Sequence, residues 1–343
     1  MPEFDFLLDI DLFRKSLSEQ QSVIKHFWEN ARILLEDSGV SLKPLPKSWT
    51  SLRHNHFSVL FIAIFFILKI PLDRLRFYAR LNHCLRSWVT ACDNLLDKEL
   101  KEMIVTDLPE NARTFKSVHT LLVTDRIFFS FLLDAVQSST LSENEMKRLL
   151  SISLSSITAS GREEAEEEEG IDAIQPPETV LRQIHTAKTG RLFTSPLYAP
   201  IALKDLDQAD PKVADVREGL TAFGLGCQIL DDLSDLGMDL YDNKHNYLAA
   251  LIQHGADHQE RTLLLDLQSK GLDPGIRNRF QLYQKFPKAA RQAMNMAVSQ
   301  LHLALTHLSR SGLPLTALNR EVFIKVLIKV FRHPNRLMNI RGR

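Results

Sequence analysis

Two short acidic segments are spaced for metal chemistry. Asp93 and Asp97 lie four residues apart in Asp93-Asn94-Leu95-Leu96-Asp97. Asp231 and Asp235 lie four apart in Gln228-Ile229-Leu230-Asp231-Asp232-Leu233-Ser234-Asp235. On a helix this spacing puts both carboxylates of a pair on one face, one turn apart. Like charges so placed destabilise an isolated helix, and a bound cation offsets that cost. Trp88 and Val89 precede the first segment, and Phe223, Leu225 and Ile229 precede the aspartates of the second. Carboxylates in such apolar surroundings are costly unless paired or metal-bound. Hard oxygens from single helical turns suit Mg2+, which keeps waters and shares its coordination with substrate phosphates. Two such helices facing each other would hold Mg2+ at the mouth of a helical bundle, with a diphosphate as the third partner. Either pair alone also fits an exposed polar face. The second is the stronger signal, because Asp231, Asp232 and Asp235 are packed into an otherwise apolar helix.

The elements that must position these carboxylates are helices. Apolar residues recur at three- and four-residue spacing, as in Val118, Leu121 and Leu122, then Phe128, Phe129 and Leu132, then Phe323, Val326, Leu327 and Val330. This predicts helix nearly throughout, with several helices buried on every side. Pro44 and Pro46 are expected to end an N-terminal helical region, and Pro71 with Asp73 to start a helix. Ser142 with Glu145 reads as a capping box. Gly170 to Pro177 reads as a connector, Asp210-Pro211 as a helix start and Asp273-Pro274-Gly275 as a turn. No repeat and no linker rich in Gly, Ser or Pro divides the chain, so the expectation is a single all-α domain over 1-343.

Composition excludes several classes. Lys+Arg and Asp+Glu both number 42 in 343 residues, a balance that argues against a nucleic-acid binder. Hydrophobic residues reach 44%, enough to build a core. Three cysteines, Cys84, Cys92 and Cys227, are too few for a disulfide framework and fit a reducing compartment, so a cytoplasmic protein is expected. The apolar run Val59 to Leu68 is well short of a membrane span and reads as a buried core helix. The acidic start of the chain has no basic segment of the signal-peptide kind. There is no His-Glu-x-x-His, no Walker loop and no Gly-x-Gly-x-x-Gly. His54 and His56 are two apart, share no helix face, and read as loop or surface residues.

The ordered motifs resemble those of trans-isoprenyl diphosphate synthases. Gly224 to Asp235, GLGCQILDDLSD, is similar to the second aspartate-rich motif of that family. Leu181 to Phe193, LRQIHTAKTGRLF, is similar to its Lys-Thr motif. DNLLD resembles the first aspartate-rich motif, with Asn94 in place of the usual second Asp. The resemblance is good from about Leu81 to Asn246. It implies an antiparallel helical bundle of the isoprenoid synthase type with a central apolar cavity, an allylic prenyl diphosphate substrate and a homodimer. It implies that Asp93 and Asp97 bind Mg2+ from one side and Asp231, Asp232 and Asp235 from the other, three ions sharing the diphosphate. Lys188 and Lys244 would contact the diphosphate, with Thr189 and Gln228 near the reacting carbons. Bulk at Trp88 would limit pocket depth, although core packing explains that residue equally. Glu163 and Glu166 fall near a family position that carries Gln and Asp, so part of the acidic run Glu163 to Glu169 would face the cavity.

The departures from the family bear on the reaction. Chain-elongating members hold isopentenyl diphosphate on an N-terminal Gly-Lys-Arg-x-Arg-Pro segment and an arginine pair after the first aspartates. Here the first region reads SWTSLRHNHFSVLF, leaving Arg53, His54 and His56, and KELKEMIV follows Asp97. A second diphosphate needs several cationic donors. The sequence therefore points to a class I terpene synthase. In that reading Mg2+ and lysines draw off pyrophosphate, and the allylic cation cyclises in a dry cavity. A prenyltransferase using isopentenyl diphosphate is the alternative, with Arg332, Arg336, Arg341 and Arg343 as replacement cations. A non-catalytic regulatory subunit is the second alternative.

Overall fold

Residues 4–97, 100–269, 275 and 281–332 are described by a computed structural model. Among them the three- and four-residue spacing becomes helix, and the only strand-like pairing is an isolated bridge between Leu42 and Thr106. Asp273, Pro274, Arg336, Arg341 and Arg343 lie outside the described residues. The chain gathers into two compact units, Met1–Ile157 with Pro196–Val213, and Thr158–Ser195 with Ala214–Arg343.

In the first unit α1 (Asp11–Leu35), α2 (Leu52–Ile67), α3 (Leu72–Leu96) and α4 (Arg113–Gln137) pack on one another, and α5 (Glu143–Glu166) begins after them. α1 stops at Leu35, well before Pro44 and Pro46, because Gly39 takes a positive φ of 76° that no helix continues. α2 buries Val59, Leu60, Ile62, Ala63, Ile64 and Phe65, which is the core helix that its run of apolar residues requires. The stretch Lys47–Ile67 is long and apolar enough to cross a membrane, and half of it is buried inside the protein. His54 and His56 are not in a loop: both belong to α2, and the His56 ring stacks on Phe4 at 4.5 Å. Phe13, Phe27, Phe65, Tyr78 and Phe131 are almost fully buried, each worth about 1.5–3 kcal/mol of transfer free energy. The Tyr78 hydroxyl and the Arg74 Nε (2.6 Å) both donate to Asp205, tying α3 to the returning segment. The capping box forms at the start of α5: Ser142 N donates to Glu145 Oε2 at 2.8 Å, and Glu145 N to Ser142 Oγ at 3.3 Å.

The second unit is built on the long helix Pro211–Tyr241, most of which belongs to it. Against it lies a wide, π-type helix, Val180–Gly190, that carries the Lys188-Thr189-Gly190 segment. Helices of this kind are rare and gather at functional sites. The approach is close at Gly224, where a Cβ would stand 2.9 Å from the Thr189 carbonyl oxygen. Tyr247–His254, Pro287–Arg310 and Ala317–Arg332 complete the packing. Phe223 meets Phe193 and Phe323 at 5.7 and 5.9 Å between ring centroids. Buried Glu260 accepts from Lys288 N and Ala289 N (2.8 and 3.1 Å), placing a carboxylate at a helix N-terminus where the dipole favours it.

Candidate active site

In the second unit the predicted residues meet on a continuous hydrogen-bonded chain. Thr189 Oγ1 donates to Gln228 Oε1 at 2.5 Å, and Gln228 Nε2 donates to Asp232 Oδ1 at 2.9 Å. Asp232 Oδ2 receives Tyr247 N at 2.6 Å and lies 2.8 Å from His185 Nε2. Asn246 Nδ2 reaches the Asp232 carbonyl at 2.8 Å and Asp239 Oδ2 at 2.7 Å. Burial works against the charge on Asp232. His185, Gln228 and the Tyr247 N–H outweigh it and hold the carboxyl below its usual range. Asp239 goes the other way. Burial and the neighbouring Asp232 charge push it well up, with Asn246 the chief opposing contact.

Asp232, expected to bind metal beside Asp231 and Asp235, is 2% exposed and its oxygens are engaged by protein donors. The reason is helical geometry, since neighbouring residues on a helix point about 100° apart. Asp231 is exposed and Asp235 half-buried, four residues apart as the metal reading requires.

The lysines are also placed. Lys188 Nζ lies 2.5 Å from Glu164 Oε1 and 4.0 Å from Glu167 Oε2, and Ser160 Oγ donates to the Lys188 carbonyl at 3.0 Å. Burial disfavours the Lys188 ammonium, yet the two carboxylates prevail and raise its pKa. Lys244 N donates to the Asp239 carbonyl at 2.8 Å, which folds its turn back onto the long helix. In the acidic run Glu164 and Glu167 turn to Lys188. Glu163 and Glu166 line a cavity of about 490 Å³ together with Glu167, Asp172, Gln183 and His245. Its walls carry carboxylates and amides beside Ile171, Ala173 and Ile184.

In the first unit Asp93 lies near the end of α3 and Asp97 caps it, with Asp97 N donating to the Asp93 carbonyl at 2.8 Å. Carboxylates at a helix C-terminus oppose the helix dipole, so a cation is favoured there. Asn94, which replaces an aspartate, is 5% exposed and brackets Lys101: it accepts Lys101 N at 2.8 Å and donates to the Lys101 carbonyl at 3.0 Å. Trp88 packs on Phe128, 4.8 Å between centroids, so packing is part of its work.

Sequence reasoning passed over Arg86. Its guanidinium donates to Asn55 Oδ1 (3.0 Å), Ser58 Oγ (3.4 Å) and the His54 carbonyl (2.7 Å), all neutral acceptors. Burial pushes it down to about 10. Burial and then its charge push His54 down, and His83 falls to about 3 for the same reasons. Its signal was its place seven residues, two helical turns, before Asp93.

The donor chemistry fits Mg2+. Among the described residues no group of three or more His, Cys, Asp or Glu side chains forms a ready-made metal cage. Carboxylate pairs suit an ion that completes its shell with water and substrate phosphate.

No protein-family model and no curated protein matches the sequence. Solved structures do match over nearly the whole chain. Decaprenyl diphosphate synthase from Rhodobacter capsulatus aligns with a TM-score of 0.62 at 14% identity, covering 93% of this chain and 98% of that one. Octaprenyl pyrophosphate synthase from Helicobacter pylori gives 0.60 at 14% identity, covering 92% and 99%. Polyprenyl synthase from Caulobacter crescentus CB15, solved with calcium and isoprenyl diphosphate, gives 0.59 at 14% identity, covering 94% and 96%. At such identity the likeness is one of fold, and this chain has the all-helical fold of the isoprenoid synthases.

Proposed function

We propose that this chain is a Mg2+-dependent prenyltransferase that joins an allylic prenyl diphosphate to a second diphosphate, isopentenyl diphosphate in the simplest case. The likeness to polyprenyl diphosphate synthases supports this alternative over the cyclase that the sequence favoured. The observation that carries it is Arg86. Among the described residues this guanidinium donates to three neutral acceptors, so it brings positive charge to the first unit. Such charge suits an anion, and it supplies donors where the usual lysine and arginine segments are missing.

In this reading Asp93, Asp97, Asp231 and Asp235 hold Mg2+, and Asp232 is a positioning residue. Bound Mg2+ would neutralise the leaving pyrophosphate and so favour cleavage of the allylic C–O bond. Lys188 and Lys244 bind the diphosphate oxygens. Thr189 and Gln228 fix the wall beside the reacting carbons through their 2.5 Å hydrogen bond. The electron pair of the acceptor double bond then forms the new C–C bond, and a proton is lost to a base. The matched structures cover both units, which supports one synthase domain over residues 1–343. On α4 Phe115, Leu122 and Phe129 are exposed at seven-residue intervals, which supports a homodimer.

The test is a product assay with Mg2+ and C10 to C25 allylic diphosphates, each with and without isopentenyl diphosphate. A longer diphosphate that forms only with isopentenyl diphosphate supports the transferase. A hydrocarbon from one allylic substrate alone would replace it with the cyclase, the reading that the missing segments favour.

A further inference from the structure

Lys188 is already in use. Glu164 and Glu167, one helical turn apart, present two carboxylates to its ammonium at 2.5 and 4.0 Å. The segment that carries them is fixed at its far end. Gly170 has a positive φ of 89°, Ile171 N donates to the Asn243 carbonyl at 2.9 Å, and Asn243 Nδ2 donates back to the Ile171 carbonyl at 2.8 Å. Asn243 itself holds a positive φ of 53°, and Lys244 follows it. The acidic run is therefore pinned against the turn that bears the second predicted lysine. Glu167 is 4% exposed, and among the described residues its Oε2 accepts no hydrogen bond, its Lys188 contact being the looser ion pair at 4.0 Å. A buried carboxylate oxygen held only by such a contact keeps capacity for a donor or cation. Burial pushes the Glu167 pKa up, while Lys188, Lys244 and His185 pull against that rise. Glu167 also lines the 490 Å³ cavity, with Glu163, Glu166 and Asp172 around it.

We infer that Glu164 and Glu167 are built-in occupants of the anion subsite at Lys188, so that a diphosphate enters only by displacing them and only with its charge neutralised by metal. Two carboxylates one turn apart imitate the charges of a diphosphate. A bare diphosphate adds negative charge beside carboxylates it must dislodge, whereas its metal complex does not. The cavity gives Glu167 room to swing, and its carboxylate lining favours a cation arriving with it. The two glutamates thereby set both the affinity of the subsite and its preference for metal-bound diphosphate. This rests on the reading of Lys188 as a diphosphate ligand.

The test uses inorganic pyrophosphate and the full chain, with binding followed by isothermal titration calorimetry in EDTA and in excess Mg2+. Wild type is expected to bind the metal-free anion poorly and the Mg2+ complex well. The double variant E164Q/E167Q, which keeps side-chain shape, is expected to tighten metal-free binding about tenfold and shrink the Mg2+ effect. Unchanged or weaker metal-free binding in a variant with an unaltered melting temperature would overturn the inference and make the glutamates positioning residues for Lys188. The variant K188Q separates the two readings. If it retains full pyrophosphate binding, the assignment of Lys188 fails and this inference fails with it. If it loses binding while E164Q/E167Q gains it, competition at the subsite is supported even in a chain that makes no prenyl product.

Discussion

His185 Nε2 and Asp232 Oδ2 lie 2.8 Å apart, and each side chain is only 2% exposed. The pair joins the wide helix of the Lys188 segment to the long helix of the aspartates, so its geometry sets where Lys188, Thr189 and Asp231 stand. Asp232 is buried in this joint and Asp231 beside it is exposed, which separates two substitutions of the same kind. Asp232→Asn removes the buried carboxylate that Gln228, Tyr247 N and His185 share and turns an amide N–H toward one of them, and should cost about 1–3 kcal/mol. Asp231→Asn, at an exposed position, should change stability by less than about 0.5 kcal/mol yet lower Mg2+-dependent turnover steeply. Thermal unfolding followed by circular dichroism, beside a turnover assay, checks both. Equal melting losses for the two variants would dismiss the division of labour.

Gly224 permits the close approach of the same two helices. Gly224→Ala would set its Cβ 2.9 Å from the Thr189 carbonyl oxygen and 3.1 Å from Phe193 Cδ2, and backbone cannot yield as a side-chain tip does. The expected loss is about 1–3 kcal/mol, with activity falling further because Thr189 moves against Gln228. Gly161→Ala is the control. Nothing lies within 4 Å of its Cβ inside α5, so a gain of about 0.5–1 kcal/mol is expected. Urea denaturation of the two variants would show a shared sign if helix propensity alone governed both.

The helices follow from three- and four-residue spacing, and Asp231 with Asp235 from a four-residue step, because both depend on local geometry alone. Asp232 could be read only with its neighbours: whether a carboxylate meets metal or protein depends on His185, 47 positions away. The contact of Glu164 and Glu167 with Lys188 was not legible, because it depends on a facing helix of π-type. Asn94 was visible as a departure from the family motif, but its grip on Lys101 belongs to a loop whose path no pattern foretells. Arg86 carried no local signal of its partners, because Asn55, Ser58 and the His54 carbonyl lie 28 to 32 positions away.

The buried histidines give a pH dependence with a definite sign. His83 is pushed down to about 3 from an ordinary 6.5 by burial and by the Arg86 charge, and Gln20 Nε2 lies 3.5 Å from its Nδ1. The unfolded chain therefore takes up a proton below pH 6.5 that the folded chain refuses. Stability from this site is complete above pH 6.5 and falls as pH drops, by about 1.4 kcal/mol per pH unit, toward the folded value. Between pH 6.5 and 5 that is up to about 2 kcal/mol. His56, pushed down to about 4 chiefly by burial, acts in the same direction. In His83→Gln the profile should flatten over this window. Parallel denaturation profiles for variant and wild type at pH 7, 6 and 5 would refute the assignment.

Arg86→Gln tests the acceptor site from both sides at once. A partly buried guanidinium with neutral acceptors costs desolvation that no carboxylate among the described residues repays, so its removal should leave stability unchanged or raise it by about 1 kcal/mol. If the charge exists for a second diphosphate, losing it should raise KM for isopentenyl diphosphate by about 10–100-fold, or roughly 1.4–3 kcal/mol. KM for the allylic substrate, assigned to Lys188 and Lys244 in the other unit, should move little. Arg86→Lys should rescue only in part, because an ammonium cannot reproduce the planar fork that reaches Asn55, Ser58 and the His54 carbonyl together. Steady-state kinetics with each substrate varied in turn separates the cases. A variant that loses stability and both KM values together would mean that Arg86 only braces α2 against α3, and the second diphosphate would need another home.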